Sequence, residues 1–284
     1  MRDGRRCLFL PKKGGCEVSP TLSICIPTYN RIHYLRDLVE NLLPQIDSVV
    51  NGMVELLVSN NASTDGTDSY CRSIDRSYLR YWINETNIGG DRNFLKCIQE
   101  SKGEYVWLVG DDDIIPAGAV AKTLEILLSN HLDLLISDIK DAVGFELYAD
   151  YGEFLSRKCN RNGSAALRHT LISANIFRRQ IFDLAFAEEY LYTQYAHMFG
   201  VVKNISGKVV VTSGLINVRL IRADFAKYPS CLCVKQAMYF NYLARRFGQP
   251  QFRRFAFFNA CNLPIEYASR VKNWIVRQFT KRLV

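Results

Sequence analysis

The sequence predicts an α/β protein with a mostly parallel central sheet flanked by helices. From residue 21 to residue 140, short apolar runs rich in β-branched and aromatic residues alternate with amphipathic helical stretches. That rhythm is the mark of strand–helix–strand units with right-handed crossovers. The runs are apolar at successive positions, so the strands are buried on both faces. Polar loops follow three of them, at the carboxyl ends of strands where ligands bind in such sheets.

Taken in order, Thr21–Pro27 reads as the first strand and Ile32–Ile46 as a helix, with Leu35, Leu38, Val39, Leu42 and Leu43 along one face. Val54–Ser59 reads as a strand, followed by the polar loop Asn60–Thr67 and a second helix. A short strand over Leu79–Ile83 precedes Asn87-Ile-Gly-Gly-Asp-Arg-Asn93, and a further helix packs Phe94, Leu95 and Ile98. Tyr105–Val109, bounded by Gly103 and Gly110, is a buried strand; Ala117–Leu128 is a helix and Leu132–Ile139 another strand. The later part is less regular, with a strand and turn in Gly207–Asn217.

The Tyr105–Val109 strand ends in Asp111, Asp112 and Asp113. Adjacent carboxylates at the end of a core strand repel one another and call for a positive partner. An oxygen-only set suits a hard divalent ion, Mg2+ or Mn2+. A solvated acidic turn capping the next helix is the alternative. The loops 28–31, 60–67 and 111–113 all lie at strand carboxyl ends, and their convergence on one rim favours a site.

A chain of 284 residues can bury a large core, and 48% apolar with 23% charged residues is ordinary for a globular protein. The net charge of +8 points to an anionic partner. Nine scattered cysteines, odd in number and without metal-type spacing, read as reduced thiols, with Cys231 and Cys233 a lone structural pair. No apolar run approaches the roughly 20 residues that span a bilayer. A cytoplasmic protein is expected.

Residues 1–20 read as a basic, poorly ordered lead-in. In residues 265–284, Val271, Trp274, Ile275 and Phe279 recur at helical spacing among Arg270, Lys272, Arg277, Lys281 and Arg282. Such a basic amphipathic helix fits either an anionic membrane interface or a helix packed on the domain with a solvated basic face.

Four motifs in order, Pro27-Thr-Tyr-Asn-Arg31, Asn60-Asn-Ala-Ser-Thr-Asp-Gly-Thr67, Asn87-x-Gly89 with Arg92-Asn93, and Gly110-Asp-Asp-Asp113, resemble a family 2 glycosyltransferase with the GT-A fold. The resemblance covers residues 21–140, about half the chain. The Gly-Asp-Asp-Asp version resembles bacterial O-antigen and capsule sugar transferases of the abequosyltransferase-like group. It implies a nucleotide-sugar-binding half over residues 21–140 and an acceptor-binding half of the same domain over residues 141–264. The implied reaction is transfer of a sugar, with inversion, from a nucleotide diphosphate sugar to a hydroxyl of a glycan acceptor. A lipid-linked acceptor would place the protein peripherally on the cytoplasmic face of the inner membrane.

The resemblance also implies roles. Pro27, Thr28, Tyr29 and Arg31 belong to the first nucleotide loop, and Arg92 lies near the diphosphate. Asp111 and Asp113 would hold Mn2+ or Mg2+, while Asp111 or Asp112 could instead meet donor hydroxyls and Asp112 serve the chemistry. Asn60 stands where the family usually has an Asp that binds the base. An amide both donates and accepts, so base preference departs from the common uridine. Asp65 and Thr67 read as helix caps, Thr67 above all. Inverting transfer needs a general base; no Glu-Asp pair is present, and Glu189 is chosen over Glu188, Asp183 and His197. Arg178, Arg179, Arg219 and Arg222 could meet phosphates, or simply form solvated basic faces.

Two other classes compete. A nucleotidyltransferase making sugar nucleotides would carry a Gly-rich basic loop after the first strand, and Pro27–Arg31 has no Gly. A non-catalytic polyanion or membrane binder explains the charge but not the three aspartates; nucleic acid, itself polyanionic, would avoid them.

Overall fold

The computed structural model describes residues 19–138, 144–158, 170–217 and 229–249. The basic lead-in up to residue 18, Arg219, Arg222 and the segment 265–284 lie outside the described residues, as do the side chains of Cys231 and Cys233.

The chain begins with β1 (Leu22–Thr28), α1 (Ile32–Asp47), β2 (Val54–Asn60), α2 (Thr67–Arg72), β3 (Leu79–Ile83), α3 (Gly90–Glu100) and β4 (Tyr105–Leu108). It continues with α4 (Ala119–Asn130), β5 (Leu134–Asp138), β6 (Phe145–Tyr148) and α5 (Tyr151–Lys158). After a 3-10 turn at Ile172–Ala174 come β7 (Asn175–Arg178), α6 (Leu184–Glu188), α7 (Ala196–Asn204), β8 (Val209–Ser213) and α8 (Pro229–Arg246). The elements expected from periodicity over residues 21–140 are all present, with ends shifted by one or two residues.

One eight-stranded sheet runs in the order β3-β2-β1-β4-β7-β5-β8-β6. Every residue of β1, β2 and β4 is buried, as their unbroken apolar runs require. The strand pleat divides them between two faces. Leu22, Ile24 and Ile26 pack with Leu35, Leu38, Val39 and Leu42 of α1 and with Val120, Leu124 and Leu127 of α4. Cys25, Leu57, Val106 and Leu108 pack on the other face with Leu95 and Ile98 of α3 and Phe199 and Val202 of α7. Each such apolar side chain contributes roughly 1.5–3 kcal/mol by leaving water.

The sheet is mixed. β3, β2, β1 and β4 are mutually parallel and β5 is parallel to β8, but β7 runs antiparallel between β4 and β5, and β6 antiparallel on the edge. The later part of the chain thus inserts a four-residue strand into the middle of the sheet. Strand order reverses between β1, which has β2 on one side, and β4 on the other. This switch point opens the crevice in which α/β sheets bind ligands.

Candidate active site

β1, β2 and β3 end level at Thr28, Asn60 and Ile83, and β4 ends beside them at Leu108, opposite Cys25. The loops that follow are tied to each other by hydrogen bonds that the sequence could only suggest.

At the crevice, Thr28 at the end of β1 donates its hydroxyl hydrogen to Asp111 Oδ2 at 2.8 Å. The Arg31 guanidinium bridges two aspartates, with Nη1 3.2 Å from Asp111 Oδ1 and 3.3 Å from Asp112 Oδ2. Asp111 is 5% exposed. Burial pushes its carboxyl up to about 6; Arg31 and Thr28 oppose that rise, and Asp112 adds to it. Asp113, also buried, accepts the Ser173 hydroxyl hydrogen at Oδ2, while Ser173 Oγ accepts from Gly110 N–H at 2.8 Å. The Ser173 carbonyl in turn accepts from the Trp107 indole at 2.8 Å. Ile114 then pairs with Asn217 in both directions, at 3.0 and 2.8 Å, which anchors the far end of the acidic loop.

The three carboxylates therefore diverge. Asp111 and Asp112 converge on Arg31, and Asp113 turns to Ser173. Among the described residues no three His, Cys, Asp or Glu side chains form a preformed metal cage. The donor chemistry still fits a hard divalent ion, because Mg2+-type sites commonly use one or two carboxylates and complete the shell with phosphate oxygens and water.

The loop after β2 is fastened to the loop after β1. Asn30, in the left-handed region at φ 53°, accepts at Oδ1 from Thr64 N–H at 2.8 Å and donates its own N–H to Ser63 at 2.9 Å. Asp65 accepts from Ile32 N–H, the first residue of α1, at 2.9 Å, and from the Thr67 hydroxyl at 2.6 Å. Contrary to expectation, Thr67 does not cap α2: it lies inside the helix, the N-cap is Gly66, and the Thr67 hydroxyl turns back to Asp65. Burial alone would raise the Asp65 carboxyl, but the donors from Thr67 and Ile32 hold it below the usual range.

Asn60 is fully buried, its amide nitrogen 2.9 Å from the Tyr81 hydroxyl and its carbonyl accepting from Ser63 N–H at 2.8 Å. Both polar ends thus brace the loop. Asn61 joins Asn84, Asn87 and the Ile88 amide at 3.0, 2.8 and 3.0 Å. Asn93 accepts from Ser59 at 2.6 Å. The asparagines of the third motif therefore fix the entry to α3, where Gly89 has φ 86°. Tyr29, by contrast, presents an exposed ring at the rim.

Arg92 is exposed on the first turn of α3; Nη2 lies 3.5 Å from the Tyr192 hydroxyl and the guanidinium 5.9 Å from its ring centre. Asp91 Oδ2 accepts from Gln194 N–H at 3.0 Å. Tyr192 and Gln194 both take positive φ, at 68° and 66°. These contacts bring the end of α6 and the segment after it, with exposed Glu188 and Glu189, to the same rim as Arg92. Asp183 caps α6, accepting from Phe186 N–H at 2.9 Å. His197 is 1% exposed in the core, edge-on to Phe94, and burial lowers its pKa to about 4. Neither rival faces the rim as a base.

Arg178 and Arg179 are corrected. β7 is antiparallel to β4, so Arg178 stands beside Tyr105 at the opposite end of the sheet. There Arg178 donates to the Leu132 carbonyl and the Tyr105 hydroxyl, both at 3.0 Å, and Arg179 to the Gly103 carbonyl at 3.0 Å. Ser173 was missed by sequence reading; a lone serine 60 residues beyond its partner in an irregular stretch carries no signal.

Comparison with known proteins bears on the family and the fold. The model of the family described as Glycosyl transferase family 2 matches residues 23–183. An abequosyltransferase, RfbV, of Salmonella typhimurium is 30% identical over 203 residues, covering 63% of this chain and 59% of that enzyme. A GalNAc(5)-diNAcBac-PP-undecaprenol beta-1,3-glucosyltransferase of Campylobacter jejuni is 28% identical over 109 residues, covering 37% of this chain and 34% of that one. The chain thus spans less than two thirds of either relative's length. Among solved structures, S. aureus TarS 1–349 with UDP-GlcNAc matches at TM-score 0.64 and 15% identity, over 89% of this chain and 79% of that one. Mannosyltransferase PcManGT of Pyrobaculum calidifontis, in complex with GDP-Man and Mn2+, matches at TM-score 0.58 and 15% identity, over 94% and 81%. No described helix is long and apolar enough to cross a membrane. The fold is GT-A, and the chain belongs to glycosyl transferase family 2.

Proposed function

We propose that the protein is an inverting glycosyltransferase that moves a sugar from a nucleotide diphosphate sugar to a hydroxyl of a glycan acceptor. The observation that carries this reading is the crevice between β1 and β4, where Thr28 and Arg31 meet Asp111 and Asp112. A loop that supplies a neutral donor, a cation and an exposed ring beside paired carboxylates suits a nucleoside diphosphate with a sugar attached. Backbone at Pro27 and Thr28 and the Tyr29 ring lie against the base, and Asn60 keeps the second loop in shape beside them. Arg92, with a planar fork of donors, takes the diphosphate.

Asp111 and Asp113 are the carboxylates that would hold Mn2+ or Mg2+, with Asp112 turned to the donor sugar. When bound, such an ion neutralises charge that builds on the leaving diphosphate. The mannosyltransferase matched in fold was crystallised with Mn2+, which supports a divalent ion here. Glu189 is assigned the acceptor proton, since its segment reaches the rim through Tyr192 and Gln194. Among its relatives, one is named as an abequosyltransferase and one for an undecaprenol-linked glycan. They support a lipid-linked acceptor in surface polysaccharide assembly, handled at the cytoplasmic face of the membrane.

Titration calorimetry with UDP, GDP, CDP and dTDP in the presence of Mn2+ tests the donor half of this proposal. One nucleotide should bind, and Tyr29→Ala and Arg92→Ala should each weaken it by about tenfold. Binding of none of the four would count against it.

A further inference from the structure

Arg31 sits where a cation is wanted. Its guanidinium is within 3.3 Å of carboxylate oxygens from two consecutive aspartates, and Thr28 satisfies the other oxygen of Asp111. Two of the three aspartates meet one arginine here, and Asp111, which could otherwise ligate a metal, is drawn onto that arginine instead. With Asp113 turned to Ser173, the acidic triplet forms no preformed cage among the described residues. Asp111 has only 7% of its side chain exposed, and Arg31 and Thr28 occupy its two carboxylate oxygens.

We propose that Arg31 is a resident counter-cation that competes with the divalent ion for Asp111, and that it yields this carboxylate when a diphosphate offers it a better anion. The proposal rests on the donor reading above. The arginine can make the exchange: its side chain is 34% exposed on a long flexible stem, and a guanidinium binds phosphate with the same bidentate fork it offers a carboxylate. A unit positive charge a few ångströms from a divalent ion is strongly repulsive in a partly buried crevice. Metal and arginine therefore do not share Asp111. The ion enters together with the donor rather than before it, and Arg31 becomes a positioning residue for both.

The test is Mn2+ binding to the nucleotide-free protein, followed by electron paramagnetic resonance of free Mn2+. It is run on wild type, Arg31→Gln, Arg31→Lys and the double variant R31Q/D111N, with folding of each checked by thermal unfolding. Arg31→Gln should bind one Mn2+ about tenfold or more tightly than wild type, because the competing charge is gone. Arg31→Lys, which keeps the charge, should stay close to wild type, and the double variant should lose the gain. Equal affinity in wild type and Arg31→Gln, no binding to either, or a gain that survives Asp111→Asn would overturn the proposal. These outcomes are separate from the donor reading, which stands or falls on nucleotide binding and sugar transfer.

Discussion

The Ser173 hydroxyl bonds two parts of the acidic loop at once, accepting from Gly110 N–H and donating to the Asp113 carboxylate. The turn that carries it leads directly into β7, the strand inserted beside β4. The aim of Asp113 is therefore set by a residue from the second half of the chain.

Ser173→Ala should lower sugar transfer by about 10–100-fold, the range for lost support behind a ligating carboxylate. Stability should fall by only about 1–2 kcal/mol, because Gly110 N–H loses its acceptor in a partly buried place. Steady-state kinetics beside chemical denaturation separates the two effects. An unchanged rate would show that Asp113 needs no such aim.

Gly110 has no room for a side chain. A Cβ there would lie 2.9 Å from Asp113 Oδ2 and 3.2 Å from Asp112 Oδ1. Gly110→Ala should push the carboxylates aside and cost roughly 100-fold in kcat, with melting temperature little changed, since flexible side chains rather than backbone are in the way. Full activity would mean that the carboxylates can shift without loss.

Glu55 offers a control at the far end of β2. It is buried, accepts from Ser23 Oγ and Lys102 N–H, and pairs with Arg80 at 3.2 Å. Glu55→Ala should destabilise by about 1–3 kcal/mol, less than a fully buried pair because the Arg80 side chain is 32% exposed. Activity per folded molecule should not change, which kinetics normalised to the folded fraction would check.

His197 makes stability depend on pH. Its folded pKa is lowered to about 4 from 6.5. Between those values the unfolded chain takes up a proton that the folded chain refuses. Stability from this group is thus intact above pH 6.5 and declines as pH falls toward 4. At pH 5 the loss is about 2 kcal/mol. His197→Leu should show a smaller drop in unfolding free energy between pH 7.5 and pH 5 (about 2 kcal/mol less) than wild type. Equal drops would place the pH sensitivity elsewhere.

The sequence made the parallel part of the sheet legible because its strands are buried on both faces and read as unbroken apolar runs. It also marked the rim, since the Asn60–Thr67 loop and the aspartates interrupt those runs abruptly. β7 was not legible: Asn175–Arg178 is four residues long and pairs with strands some 40 and 70 positions earlier. Nor could Arg31 be seen to bridge Asp111 and Asp112, because that pairing depends on β1 and β4 lying side by side. Asn60 and Asp65 were recognised as motif residues, yet the hydrogen bonds they make brace the loops and the start of α1. A polar motif position can support a loop as well as meet a ligand, and spacing alone does not separate these.

The central claim is most directly tested by donor turnover. UDP-, GDP-, CDP- and dTDP-sugars are incubated with the protein and Mn2+, Mg2+ or EDTA, and release of nucleoside diphosphate is measured. The account predicts slow release from one donor, abolished by EDTA and by Asp113→Ala, and accelerated by a glycan acceptor. Release that persists in EDTA and in Asp113→Ala, or no release and no binding with any donor, would contradict it.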